Sequence, residues 1–272
     1  MILAATLAYW VHDLDPVAFR FPEGWPLRGV HWYGLAYAAG FLVAALLLAR
    51  WRRQGLAPVR DALAESALIT AIMVGVVVGG RLGHVALYAH AEFVADPWMV
   101  LRVWQGGMAS HGGFLGVFLG GLWFARKQRV SFWSVADLLC ALAPAGLLFG
   151  RLANFVNAEL IGRPTTVPWA VIFPREGNEP RHPSQLYEAF GEGLVPLIWM
   201  LWRYPRRLPP GQVAGEFLLL YAVARFVGEG FRLPEDGTIY GLTAGQFWTL
   251  PLAVFGLYLV WRARRRANDV AR

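Results

Sequence analysis

The chain has 272 residues, 57% of them hydrophobic and only 16% charged, with 13 Trp, 17 Phe and a net charge of +7. Soluble domains carry about 25% charged residues, so the shortfall, with a mean hydropathy of +0.42, places the chain among membrane proteins. The single cysteine, Cys140, excludes an intrachain disulfide and a cysteine-rich metal site, and basic residues grouped at the ends of apolar runs suit anionic lipid and speak against nucleic acid.

The segment Met1–Leu7 lacks a basic start and does not read as a cleaved signal peptide. A bilayer core of roughly 30 Å takes about 20 mostly apolar residues per helix. The apolar runs predict an all-α, polytopic bundle in one integral membrane domain, 1–272. Its seven spans lie near 31–50, 62–89, 107–125, 132–153, 185–203, 212–232 and 244–262.

The first span opens on His31-Trp32-Tyr33-Gly34, whose aromatics suit an interfacial belt. The second is long and carries Gly75, Gly79, Gly80 and Gly83, small residues that permit close helix packing. The third is the weakest. Its glycine-rich start, 106–113, either meets a cavity or is partly re-entrant, because irregular backbone survives at membrane depth only in protein or water. Within it His111 is flanked by small residues, so a substrate can approach closely. Histidine titrates near neutrality, which suits general-base work, although a lone histidine is more often structural.

The fourth span holds Cys140 in an apolar run, where it reads as a packed small residue. It ends in Gly150-Arg151-Leu152-Ala153-Asn154, with Glu159, Gly162 and Arg163 following. On a helix Arg151 and Asn154 share a face. A guanidinium beside an amide is a cradle for phosphate, and an Arg–Glu pair that fixes the loop is the equal alternative. Gly80-Arg81-Leu82-Gly83-His84 in span two is a faint echo of this run. Residues 154–184, rich in Pro, Gly and charge, read as a small extracytoplasmic cap, too short for a core of its own. Span five opens on Arg181-His182-Pro183-Ser184-Gln185-Leu186-Tyr187-Glu188, where Ser184 suits a helix cap. In span six Tyr221, Arg225, Glu229 and Arg232 recur at helical spacing and predict one continuous polar stripe facing the bundle. Glu229 would hold Arg225 and Arg232 extended and leave net positive charge for an anion. A helix–helix hydrogen-bond network is the plainer reading.

Basic clusters follow spans one, three, five and seven: Arg50 to Arg60, Arg126 to Arg129, Arg203 to Arg207, and Arg262 to Arg266. The positive-inside rule puts these in the cytoplasm, with the N-terminus outside and the C-terminus inside. Arg151, Arg163, Arg175 and Arg181 on the other side breach the simple rule. Ionisable groups within spans are costly and mark function. A transporter for an anionic solute and a non-catalytic assembly factor are the rival classes. The first predicts flux and no attacking thiol. The second leaves the polar stripe and the separate Arg–Asn motif unexplained.

The run G-R-L-A-N-F-V-N-A-E-L-I-G-R at 150–163 resembles the signature of the prolipoprotein diacylglyceryl transferase family. H-W-Y-G-L at 31–35, W-Q-G-G-M-A-S-H-G-G at 104–113, R-H-P-S-Q-L-Y-E at 181–188 and Y-x-x-x-R-x-x-x-E-x-x-R at 221–232 match in the same order. Ala153 stands where the family usually has glycine. The resemblance implies a multi-pass enzyme of the bacterial inner membrane, with its site toward the periplasm. It implies transfer of the diacylglyceryl group of phosphatidylglycerol to the lipobox cysteine of a preprolipoprotein signal peptide, the first step of lipoprotein maturation. Phosphatidylglycerol, that peptide and membrane lipids are the implied partners, with no cofactor and no metal. The carried-over catalytic candidates are His111, Arg151, Arg225 and Glu229. The substrate-binding candidates are Tyr33, Asn154, Glu159, Gly162, Tyr221 and Arg232.

Overall fold

The computed structural model describes residues 9–25, 29–103, 106–234 and 237–270. Met1–Leu7 and the Trp104-Gln105 start of the glycine-rich motif lie outside these. The chain is mostly helical. In order it forms β1 (Trp10–Val11), β2 (Val17–Arg20), β3 (Gly29–His31), α1 (Trp32–Arg53), α2 (Ala62–Leu87), α3 (His90–Ala95), α4 (Ser110–Gln128), α5 (Phe132–Val156), β4 (Val171–Ile172), β5 (Pro180–Arg181), α6 (Ser184–Glu188), α7 (Val195–Arg203), α8 (Gln212–Gly228), β6 (Thr238–Ile239), β7 (Leu242–Thr243) and α9 (Ala244–Val270).

Among the described residues, four helices are long and apolar enough to cross a membrane: Trp32–Arg53, Ala62–Leu87, Phe132–Val156 and Ala244–Asp269. Each of the three other predicted spans also contains a helix, and each falls short for a visible reason. Helix α4 is diluted by glycine and ends on Arg126 and Lys127. Helix α8 has 17 residues. Residues 184–203 do not form one regular helix: a π-helical turn, Ala189–Leu194, separates α6 from α7. Pro196 has no N–H to give the Glu192 carbonyl four residues back, and its ring would strike that carbonyl in an α-helix, so widening the turn relieves both faults. The sixth predicted span is also shorter than expected. Helix α8 stops at Gly228, and Phe231 N–H turns back to the Gly228 carbonyl at 3.0 Å.

Two compact units divide the chain, Met1–Leu47 with Leu139–Arg272, and Leu48–Leu138. The second unit is built on α2 and α4, which meet along a glycine seam. A Cβ at Gly75 would meet the Gly116 carbonyl oxygen, and one at Gly79 that of Gly112. Such seams let backbones approach where lipid supplies no hydrophobic drive. Arg81, the echo of Arg151, is buried here. It donates to the backbone carbonyls of Val100 at 3.2 Å and Gly107 at 3.0 Å, and to those of Met99 and Gly106. The echo in sequence therefore ends in a different task, closing a loop.

In the first unit Gly215 of α8 packs on the backbone of Gly256 in α9, and Gly193 of the π turn packs on Leu148 of α5. Strand β1 pairs in parallel with β4, and β4 antiparallel with β5. Buried Ile161, Val171 and Phe173 form a small apolar core beneath, joined by Phe155 and Ala158. His12, also buried, reaches the Phe155 carbonyl at 2.8 Å. The predicted cap segment thus completes its sheet and core with residues from the N-terminal strand and the end of α5, as its short length requires.

Candidate active site

Helix α5 ends in a Schellman turn, and the turn makes the first part of the site. Ala158 N–H donates to the Phe155 carbonyl at 3.0 Å, and Glu159 N–H to the Asn154 carbonyl at 2.9 Å. Ala158 takes the left-handed conformation, φ 55°, and so does Leu160, φ 54°. A left-handed alanine or leucine costs about 1–2 kcal/mol, and such strain collects at functional sites. The turn swings Glu159 back over its own helix. Its carboxylate accepts from Asn154 Nδ2 at 2.9 Å and from Asn157 Nδ2 at 3.3 Å. Asn154 Nδ2 also lies 3.3 Å from the Tyr33 hydroxyl oxygen, in the first turn of α1. Ser184 Oγ donates to the Leu160 carbonyl at 3.0 Å, and Gln185 Nε2 to that of Glu159 at 2.5 Å. Ser184 makes no cap bond to its own helix, contrary to the sequence expectation, because its hydroxyl is spent on this strained segment.

The second part is a buried network of arginines and glutamates. Arg151 donates through Nε and Nη2 to Glu192 Oε2, at 3.1 and 2.9 Å. Its Nη1 lies 3.0 Å from Glu188 Oε2. Arg225 of α8 donates through Nη1 to Glu188 Oε1 at 2.8 Å, stands 3.6 Å from Glu192 Oε1, and pairs with Glu229. Arg232 Nη1 is 3.8 Å from Glu229 Oε1. Neither Glu188 nor Glu192 has any accessible side-chain surface (0%), and the arginines paired with them keep 14%. Glu188 Oε2 and Glu192 Oε1 form no hydrogen bond among the described residues. Arg151 is close to the first of these oxygens but off the hydrogen-bond axis, so the contact is an ion pair only. Gly228 leaves room for this packing, since a Cβ there would lie 3.3 Å from Glu188 Cγ.

Among the described residues, three arginines (151, 225, 232) meet three glutamates (188, 192, 229), a formal sum of zero. The net positive charge expected from the stripe is therefore balanced by two carboxylates of the fifth predicted span. The stripe itself is not one helical face. Arg232 lies beyond α8, where it forms an antiparallel bridge with Gly162. Arg163 N–H donates to the Phe231 carbonyl and Leu233 N–H to that of Ile161, at 2.9 and 3.0 Å. This bridge replaces the last helical turn because it gives those backbone groups partners in the cap. Gly162 is needed for space, because a Cβ there would meet the His182 carbonyl oxygen. Arg163 Nε reaches the Arg232 carbonyl at 2.9 Å, and Arg181 Nη1 the Gly162 carbonyl at 3.4 Å. Two of the arginines that breach the positive-inside pattern are thus tied to backbone in the cap.

Glu229 has a third neighbour. Thr243 Oγ1 donates to Glu229 Oε2 at 2.7 Å. The same hydroxyl accepts from Gln246 N–H at 3.1 Å, and Thr243 N–H donates to Gln246 Oε1 at 3.1 Å. This is a capping box at the start of α9. A Cβ at Gly245 would strike the Glu229 carboxylate. Arg225, Glu229, Arg232, Thr243 and Gly245 line a polar cavity of about 80 Å³ beside the network.

Of the sequence candidates, the fold brings Arg151, Arg225, Glu229 and Arg232 into one network, and Tyr33, Asn154 and Glu159 into a cluster at the end of α5, the helix that also carries Arg151. Tyr221, one turn before Arg225 and half-buried, stacks on Phe217 with ring centres 6.1 Å apart. His111 belongs to the second unit, exposed in the first turn of α4. In the cap, Tyr187 Oη lies 3.2 Å from His182 Nδ1 and accepts from Trp169 Nε1 at 2.7 Å, and burial holds the His182 imidazole below its usual value. Sequence reasoning names Glu188 only as the end of the 181–188 motif, with no role, and passes over Glu192, Thr243 and Gln246. Two signals were available: carboxylates four residues apart inside an apolar run, and the T-x-x-Q spacing of a capping box.

The sequence profile of the family described as "Prolipoprotein diacylglyceryl transferase" matches residues 16–262. The chain belongs to this family. Relatives named phosphatidylglycerol–prolipoprotein diacylglyceryl transferase include one from Methylococcus capsulatus, 48% identical over 94% of this chain and 97% of the relative. Those of Solidesulfovibrio magneticus and Polynucleobacter asymbioticus are 45% and 43% identical, over 96% and 94% of this chain and 98% of each relative. As a member of the prolipoprotein diacylglyceryl transferase family, the chain is a transferase.

Proposed function

We propose that the chain transfers the diacylglyceryl group of phosphatidylglycerol to the lipobox cysteine of a preprolipoprotein, in the bacterial inner membrane. The observation that carries the reading is the buried arginine network at the foot of the Asn154–Glu159–Tyr33 cluster, in a chain of this family. The cysteine thiolate attacks the glycerol carbon that bears the phosphate. A carbon–sulfur bond forms, the carbon–oxygen bond breaks, and the electron pair leaves on glycerol 1-phosphate. Arg151 and Arg225, with Arg232, stabilise the charge growing on the phosphate, which is where fixed cations act best. Asn154, Tyr33 and Tyr221 orient the headgroup, and Glu159 and Glu229 hold their neighbours in position. His111 takes the thiol proton, since the thiolate is the nucleophile. Gly162 keeps the cap strand close to Arg232.

The seven helical segments all span the membrane in this reading, with the N-terminus and cap periplasmic and the basic loops cytoplasmic. A lipid with two acyl chains then enters sideways between helices, and the signal peptide reaches the site from the same bilayer.

The test uses purified protein in detergent, phosphatidylglycerol, and a lipobox peptide with cysteine or serine at the acceptor position. Glycerol phosphate release that needs the cysteine, adds a diacylglyceryl mass to the peptide and falls by at least about 100-fold in a folded Arg151→Ala is the expected result. His111→Gln should flatten the pH–rate profile. Lipid binding without release, in folded protein, would turn the reading to transport.

A further inference from the structure

The transferase reading uses the arginines and leaves unexplained the two carboxylates that hold them. Glu188 and Glu192 are the most deeply buried charged side chains of the network, and neither touches the polar cavity. Burying a carboxylate is costly unless its partners are well placed, and a fold needing only apolar packing here would have used apolar residues. The two also sit on an irregular element. The π turn begins one residue after Glu188 and contains Glu192. With a wider turn, side chains four apart lie nearly above one another, so both carboxylates face the same two guanidiniums.

The contacts are divided in a defined way. Glu192 takes the Nε and Nη2 side of Arg151, a side-on pairing that fixes the plane of the guanidinium. Glu188 bridges, with Oε2 toward Arg151 Nη1 at 3.0 Å and Oε1 accepting from Arg225 Nη1 at 2.8 Å. Arg151 comes from α5 and Arg225 from α8, so the bridge sets the spacing of two groups on separate helices. Each carboxylate also keeps one oxygen without a hydrogen bond among the described residues.

We infer that Glu188 and Glu192 are positioning residues of the transfer site, holding the Arg151 and Arg225 guanidiniums at a fixed spacing and orientation for the phosphate of the lipid. They act through the arginines and touch no reacting atom. They also neutralise those arginines in the resting site, so a phosphodiester binds no more tightly than transfer requires. Removing one carboxylate charge makes the network more positive by one, which strengthens binding of the anionic lipid while loosening the geometry in which the leaving group is stabilised. The inference rests on the transferase reading.

The test compares wild type with Glu188→Gln, Glu192→Gln and Glu188→Asp in the full chain, in detergent, with phosphatidylglycerol and the cysteine lipobox peptide. The expected pattern for the Gln variants is a kcat at least about tenfold lower with an unchanged or lower KM for phosphatidylglycerol, the sign of lost transition-state geometry and relieved restraint on binding. Glu188→Asp, which keeps the charge, should regain part of the rate. A merely structural role would not split kcat from KM in this direction. If one Gln variant fails to fold, the other decides. Folded Gln variants with wild-type kcat, or with raised KM and unchanged kcat, would overturn the inference alone. An inactive wild type would remove the transferase reading and this inference with it.

Discussion

A methyl group at residue 162 would meet the His182 carbonyl oxygen, because the cap strand there lies against both His182 and the bridge to Arg232. Gly162 is conspicuous in the sequence, but the reason for it is close approach and not a special φ. Gly162→Val should therefore destabilise the protein by about 1–3 kcal/mol through overpacking. It should reduce transfer further than that loss of stability explains, since the displaced strand is bridged to Arg232. Thermal unfolding and glycerol phosphate release from the same sample check this, and an unaltered rate would refute the link between the cap and the network. Arg151 teaches the complementary lesson. Its importance was legible from a charge inside an apolar run. Its partners Glu188 and Glu192 lie 37 and 41 residues away in sequence, and nothing local announces the pairing.

At the scale of elements, glycine means different things on different helices. Along α2 and α4 it is a packing seam, because a Cβ at Gly116 would enter the Gly75 backbone. On α5, a Cβ at Gly146 would meet no described atom within 4 Å beyond its chain neighbours and its own helix backbone. Gly116→Leu should lower the unfolding midpoint in detergent strongly, whereas Gly146→Ala should leave it unchanged or raise it, by up to about 1 kcal/mol of helix propensity. A tolerated Gly116→Leu would mean that the seam is not needed. Each of the seven predicted apolar runs contains a helix, since apolar length is a local property, whereas the short α3 was not foreseen. Interruptions were less legible. The π turn follows from Pro196 in the middle of span five, but a proline inside a helix also fits a kink, and only packing against Leu148 and Arg151 selects the wider turn. The early end of α8 depends on a strand 70 residues away in sequence, Gly162 opposite Arg232.

For the whole molecule, the proposed orientation rests on the basic loops. With Cys140 replaced by serine, a cysteine at Gly177 in the cap should react in intact cells with a thiol reagent that crosses the outer but not the inner membrane. A cysteine at Gln128 should react only once the inner membrane is opened. The reverse pattern would overturn the orientation. Length, apolar content and the spacing of arginines by themselves determined that this is a helical membrane protein, which apolar runs hold its helices, and which polar residues stand out. Each of those is written in a window of about 20 residues, the thickness of a bilayer. The tertiary structure decided what the polar residues meet. Among the described residues it balanced three arginines with three glutamates, took Arg232 off the helix into a bridge with the cap, added β1 to the cap sheet and buried His12 beside it. Those pairings join positions far apart in the chain, and burial rather than local pattern selects them: a charge withdrawn from water must find its counter-charge wherever the fold brings one.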